Sequence, residues 1–166
     1  MSRARTPADA GFTMLEVMVT IVLAGVVMAI AVSGWQGWAR ASAQDGLVTE
    51  IRGVLRAAQQ RAVTEGSSTC VLFSADADSW EVFRGRCDSD DKERIEGPVR
   101  ADDGLDLVDP SFVVAADPAA TATTSTGVTF TPRGSATAGS VRVARDGSST
   151  VVTVSVEGLT GRVTEG

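Results

Sequence analysis

The sequence predicts an α+β fold in which a long N-terminal helix, half membrane-spanning and half amphipathic, packs on a mostly antiparallel β domain. Three observations support this prediction. Residues 12–32 form an apolar run with a single charged member. A helical pattern of apolar positions continues to about residue 65, and short β-like runs between turn residues fill the remainder. With 166 residues, the chain can build one hydrophobic core besides its N-terminal segment.

The composition argues against several classes of function. The chain is acidic, with 21 Asp and Glu against 15 Lys and Arg, and it contains no histidine. Histidine is the most frequent general base and transition-metal ligand. The sequence also lacks a nucleophile motif, a phosphate-binding glycine loop and metal-ligand spacing. We therefore predict no enzymatic activity, no cofactor and no metal site. Nucleic-acid binding is disfavoured because no basic stripe is present.

The apolar run is long enough to cross a lipid bilayer. As a helix, its 21 residues would extend roughly 30 Å, the thickness of the hydrocarbon core. Its only charged residue is Glu16, and a carboxylate in a membrane helix costs on the order of 2–3 kcal/mol unless it finds a partner. Two interpretations stay open. Either the helix dipole makes an interfacial acid tolerable, or cleavage after Gly11 frees an ammonium group on Phe12 that neutralises a carboxylate at this depth.

The segment Gly11-Phe12-Thr13-Met14-Leu15-Glu16, which follows a short leader, resembles the class III signal of type IV pilins and pseudopilins. The resemblance implies that a prepilin peptidase cuts between Gly11 and Phe12 and that Phe12 is N-methylated. It also implies that Glu16 pairs with the N-terminal amine of an adjacent subunit and sets the register of assembly. The implied partners are the peptidase, other pseudopilins or pilins in a filament, an inner-membrane assembly platform and membrane lipid.

The leader carries Arg3 and Arg5, which by the positive-inside rule place residues 1–11 in the cytoplasm. This predicts a single-pass protein of the bacterial cytoplasmic membrane with a periplasmic C-terminal domain. A competing interpretation is ordinary signal-peptide cleavage after Ala29-Ile30-Ala31, which would leave Val32 as the first residue. That interpretation gives Glu16 no role.

Beyond the membrane run, the sequence predicts that the helix continues with an amphipathic surface. Its apolar positions recur at spacings of three and four, and they are Leu47, Ile51, Val54, Leu55, Ala58 and Ala62. Trp35 and Trp38 lie at the outer end of the apolar run. Because indoles favour the lipid headgroup zone, they predict a belt at the membrane interface. Packing of the two indoles on the globular domain or a neighbouring subunit is the alternative. The expected segments are a leader (1–11), a membrane or filament-core helix (12–33), an amphipathic helix (34–65) and a periplasmic β domain (66–166).

Seven runs in the remainder predict β-strands: Thr69–Phe73, Trp80–Phe83, Leu105–Val108, Phe112–Ala115, Val128–Thr131, Ser140–Arg145 and Thr150–Val156. The first two flank a turn-rich segment and predict a hairpin. Centring that hairpin on Ala77 places Cys70 opposite Arg84. Residues 117–126, which read DPAATATTST, predict an exposed loop.

The chain has two cysteines, Cys70 and Cys87. The predicted topology places both in an oxidising compartment, where an even number favours a disulfide, with two buried free thiols as the alternative. The acidic stretch that follows, residues 88–93, invites comparison with a calcium loop. It fails the EF-hand template because Lys92 and Glu93 occupy the fifth and sixth positions. A solvated acidic loop is therefore the favoured interpretation.

The C-terminal portion is similar to the β-domain ending of the minor pseudopilin H and FimT subfamily. The matching features are a Phe-x-x-x-Gly turn at Phe130 and Gly134, and a closing Gly-Arg at Gly161 and Arg162. The resemblance implies a minor pseudopilin, a structural subunit of the periplasmic pseudopilus of a type II secretion system. The alternative that it leaves open is a FimT-like minor type IV pilin involved in pilus assembly or DNA uptake. A catalytic role is the least favoured hypothesis.

Overall fold

A computed structural model describes residues 12–114 and 123–166. The chain divides into two compact units, Met1–Ala39 and Arg40–Gly166. One helix, α1 (Met14–Glu65), begins in the first unit and ends in the second, and it continues without interruption through Gly37 and Gly46. Within the first unit, Met14–Ala31 is long and apolar enough to cross a membrane, and none of its residues is buried inside the chain.

In its described residues, the second unit combines the remainder of α1 with nine strands. These are β1 (Thr69–Ser74), β2 (Ser79–Arg84), β3 (Glu93–Arg100), β4 (Leu105–Val114), β5 (Thr123–Ser125), β6 (Gly127–Phe130), β7 (Gly139–Arg145), β8 (Val152–Val156) and β9 (Val163–Glu165). They form two sheets with the strand orders β3-β2-β1-β6 and β5-β4-β7-β8-β9. Every strand pair is antiparallel. The predicted α+β class is therefore confirmed.

The hydrophobic core lies between one face of α1 and the two sheets. The helix contributes a stripe that is at least 95% buried and consists of Leu47, Val48, Ile51, Leu55, Ala58 and Ala62. Of the predicted stripe, only Val54 is less than fully buried, and it packs at the margin of the core. The rings of Phe73 and Phe112 stack at a centroid distance of 5.9 Å and join the two sheets.

The predicted register of the first hairpin was wrong by one residue. Ser74 pairs with Ser79 across a four-residue turn, which sets Cys70 opposite Phe83 instead of Arg84. The turn accommodates this register because Asp78 adopts a left-handed backbone with φ of 45°. The Asp78 carboxylate then accepts a hydrogen bond from the Leu107 amide at 2.9 Å, so the turn is tied to β4.

The strand prediction also needs correction elsewhere. The two runs predicted between residues 105 and 115 form a single strand, β4, with a bulge between Val108 and Ser111. Ala115 and residues 117–122 of the predicted loop lie outside the described residues. Three strands were missed: β3, β5 and β9. The first is an edge strand with no buried residue and contains Gly97-Pro98, a pair that normally argues against a strand. The other two are three residues long.

Two glycine-to-alanine substitutions should have opposite effects on stability. A Cβ at Gly139 would lie 2.5 Å from Phe112 Cα, whereas a Cβ at Gly53 would have nothing within 4 Å. Gly139→Ala should therefore destabilise the fold by about 1–3 kcal/mol or more through overpacking. Gly53→Ala should stabilise it by up to about 1 kcal/mol, because alanine is the better helix former. Urea unfolding of the full chain in detergent micelles, followed by circular dichroism, measures both. Equal effects of the two substitutions would contradict this description of the β4–β7 contact.

Candidate functional site

The first turn of α1 is fixed by a hydrogen-bonded cap. The Glu16 amide donates to Thr13 Oγ1 at 3.2 Å, and the Thr13 carbonyl accepts from the Glu16 and Val17 amides at 3.0 and 3.2 Å. Thr13 is thus the N-cap, and the Thr-x-x-Glu spacing is the sequence pattern of a capping box. Thr13 is the residue that the sequence analysis missed, although its spacing to Glu16 was a sufficient signal.

Glu16 lies exposed in this first turn. Its backbone amide is engaged by the cap, but no cation pairs with its carboxylate within residues 12–114 and 123–166. The large side chains around it are apolar and exposed, with Phe12 at 80%, Met14 at 81% and Leu15 at 74%. The helix dipole favours an anion at this end. The chain therefore presents a single carboxylate on an apolar surface, in a position where an incoming cation could reach it.

Phe12 and Gly11 are the residues at the predicted cleavage point. Phe12 precedes the helix and is exposed. Gly11 lies outside the described residues. The structure therefore places Phe12 and Glu16 in one short segment at the start of α1.

Trp35 and Trp38 lie one helical turn apart in the first unit. Their ring centroids are 5.4 Å apart with the planes tilted by 54°, and the residues are 68% and 64% exposed. Two exposed indoles beyond an apolar segment are the pattern of a membrane-interface belt.

Basic side chains of the chain itself contact the acidic stretch after Cys87. Arg86 donates to both carboxylate oxygens of Asp88 at 2.9 and 3.0 Å, and these hydrogen bonds lower the pKa of Asp88. Lys92 Nζ donates to the Ser89 carbonyl at 3.0 Å. Over the described part of the chain, no group of three or more metal-ligating side chains comes together.

The residues of the C-terminal resemblance converge on Gln59 of α1. Gln59 Nε2 donates to the carbonyls of Gly134 and Thr160 at 2.8 and 2.9 Å. Gly134 and Gly161 both adopt a positive φ, at 84° and 63°, and a Cβ on Gly161 would collide with the Gln59 amide. These contacts have a structural role, because they hold the turns at Gly134 and Thr160 against α1. Arg162, which follows the second turn, is exposed.

The disulfide that the even number of cysteines favours is present. Cys70 is fully buried on β1, and its Cα lies 5.1 Å from that of Cys87 in the segment after β2. The Cys87 amide also donates to Thr129 Oγ1 of β6 at 3.0 Å. The bridge therefore holds the segment after β2 across the end of the first sheet.

Two models of known protein families match the chain. The family model of GspH, a type II transport protein, matches residues 47–160. The model of the prokaryotic N-terminal methylation motif matches residues 7–32. No curated protein matches the chain.

The fold of the chain is similar to that of a solved structure, and a second solved structure is also matched. The minor pseudopilin EpsH from the type II secretion system of Vibrio cholerae is similar, with a TM-score of 0.53 at 12% identity over 73% of this chain and 94% of that one. The type IV minor pilin FimU of Pseudomonas aeruginosa has a TM-score of 0.47 at 17% identity over 74% of this chain and 91% of that one. The likeness to EpsH supports the arrangement of one helix and two antiparallel sheets.

Removing the disulfide should destabilise the globular unit. The double substitution Cys70→Ala with Cys87→Ala opens a loop with a sequence separation of 17, and a loop of this size corresponds to about 3 kcal/mol in the chain-entropy model. Urea unfolding with and without reductant measures the loss. Reductant should destabilise the wild-type chain by a similar amount and leave the double variant unchanged. A wild-type chain indifferent to reductant would show that the bridge contributes no stability.

Proposed function

The chain belongs to the GspH family and is a minor pseudopilin of a type II secretion system, and we propose that the first turn of α1, residues 12–16, locks it into the pseudopilus. One observation carries the proposal. Glu16 is an exposed carboxylate at the start of an exposed apolar helix, and no counter-charge meets it in the described part of the chain.

The proposal assigns a role to each segment. Residues 1–11 are a cytoplasmic leader that prepilin peptidase removes between Gly11 and Phe12, and Phe12 is then N-methylated. Residues 12–33 span the inner membrane once and later enter the filament core, residues 34–65 link this core to the β domain, and residues 66–166 lie in the periplasm. The methylation-motif match over residues 7–32 supports this processing. Extraction from the membrane would require the inner-membrane assembly platform.

The cap and the carboxylate serve different purposes in this proposal. The Thr13 cap fixes where the helix begins, so the Glu16 carboxylate occupies a defined height on the helix. When apolar helices pack together, a carboxylate without a counter-charge is costly. The free amine of an adjacent subunit's first residue can relieve this cost only at one axial offset. The charge pair therefore selects register, while the apolar side chains supply the contact area.

The proposed role is structural and non-enzymatic, and the partners are other pseudopilins. The alternative, a FimT-like pilin in pilus assembly or DNA uptake, has less support. The formal net charge of −6 disfavours a phosphate backbone as ligand, and the family match is to a type II transport protein.

The mature N-terminus tests the processing step. Mass spectrometry of the protein from membranes should find a chain that begins with N-methylated Phe12. The control is Gly11→Leu in the same host, which should keep its leader because the cut follows Gly11. A wild-type chain that retains Met1, or that begins at Val32, would contradict the proposed processing.

Substitution of Glu16 tests the register. Glu16→Gln keeps a side chain that is compatible with the capping box but removes the charge. We expect normal processing and membrane insertion, and at least about a tenfold loss from the sheared filament fraction, the factor that corresponds to 1.4 kcal/mol. Quantitative immunoblotting of that fraction measures the effect.

The matched control is Glu50→Gln, which removes an exposed carboxylate from the same helix. This variant should enter filaments as the wild type does. Normal incorporation of Glu16→Gln, or an equal loss with Glu50→Gln, would count against a specific role for position 16.

A further inference from the structure

A basic cleft lies in the globular unit between α1 and the edge strand β9. Its volume is about 950 Å³. The residues that matter for its chemistry are Arg52, Arg56 and Gln59 on the helix and Arg162, Val163 and Glu165 on or beside the strand. The helix residues follow at intervals of four and three, so they share one face of α1.

The cleft carries positive charge that the described chain does not neutralise. Arg52 pairs with Glu165 at 2.6 Å, but its Nε is buried without a hydrogen-bond partner. Arg56 and Arg162 are exposed and form no ion pair within the described ranges. Three guanidinium groups thus line the cleft together with one carboxylate side chain, that of Glu165, on a chain whose formal net charge is −6. The complementary ligand is acidic.

The strand that lines the cleft also has an unpaired backbone edge. Among the described strands, β9 is the last of its sheet and pairs with β8 alone. The Gly166 and Thr153 amides and carbonyls exchange both hydrogen bonds at 3.0 Å. Because antiparallel pairs alternate, Thr164 points its backbone groups toward β8, whereas Val163 and Glu165 point theirs outward. The cleft therefore offers donors and acceptors to an added strand.

The dimensions of the two walls agree. Arg52 to Gln59 spans roughly 10 Å along a helix, and the three residues of β9 span roughly 10 Å as a strand. An extended segment of about three residues matches this length. A folded or helical ligand would leave the outward amides of β9 without acceptors, which favours strand addition.

We propose that this cleft binds an extended acidic segment of a partner protein, which adds as a strand to the free edge of β9 and places its carboxylates against Arg56 and Arg162. The inference goes beyond the proposed role of residues 12–16, because it needs only the globular unit. Substituting Glu16 would leave this binding unchanged, so the two proposals fail separately.

Fluorescence anisotropy with the full chain in zwitterionic detergent micelles tests the proposal. The probe is a labelled peptide of about seven residues in which glutamate alternates with valine. We expect saturable binding that weakens as salt is raised. The double charge reversal Arg56→Glu with Arg162→Glu should weaken the affinity at least about tenfold, because like charges then face each other. A peptide N-methylated at alternate residues should bind at least about tenfold more weakly, because it lacks the strand's donors.

The matched control is Arg133→Glu, which reverses an exposed charge outside the cleft and should change the affinity less than about twofold. An equal loss with this control, or undiminished binding of the N-methylated peptide, would overturn the proposal, as would no binding of the acidic peptide. A single-stranded oligonucleotide is the last arm. If it binds more tightly than the peptide and this binding is lost on reversal at Arg56 and Arg162, the cleft is a nucleic-acid site instead.

Discussion

The globular unit depends on the burial of one helical stripe between two sheets. Ile51 and Leu55 are at least 99% buried, and full burial of such a side chain is worth about 1.5–3 kcal/mol. The first sheet ends at β6 and the second includes β7. In the segment that connects these two strands, the Thr137 amide donates to the carbonyl of Thr129 on β6 at 3.0 Å. The connection between the two sheets is thus held to the first sheet by a backbone hydrogen bond, while α1 packs against both sheets. Gln59 extends this wall, because its amide holds the Gly134 and Thr160 turns against α1.

The same helix meets two different environments along its length. In the globular unit its stripe is apolar and the opposite face is charged, whereas in Met14–Ala31 no residue is buried inside the chain. A helix that is apolar on all sides needs lipid or other apolar helices around it. The membrane and the filament core both meet this requirement. The buried stripe of the globular unit involves none of these residues, so in the proposed function a subunit would pass from the membrane to the filament core without refolding its β domain.

Local patterns in the sequence predicted the helix well and the sheets only in part. The stripe from Leu47 to Ala62 was predictable because its spacing matches the helical period. The hairpin register was not, because it depends on the left-handed backbone of Asp78, which alternation does not encode. β3 was missed because its exposed charged residues give no alternating apolar pattern and Gly97-Pro98 normally argues against a strand. The basic cleft was also not predictable, since Arg56 and Arg162 are far apart in sequence and come together where the segment before β9 packs on α1.

The placement of unpaired charges bears on specificity more than on stability. Many exposed ions of this chain have partners, such as Arg84 with Glu65 and Glu93, and surface pairs of this kind are worth about 0–1 kcal/mol. Leaving a charge unpaired in water therefore costs the monomer little. The same charge becomes expensive once a neighbour covers it without supplying a counter-ion. In the two proposals, Glu16 on an apolar helix and Arg56 beside an open strand edge would each penalise a partner that lacks the opposite charge at that position. Two such residues, in separate units of one chain, can discriminate between neighbours independently while contributing almost nothing to the folding of the subunit itself.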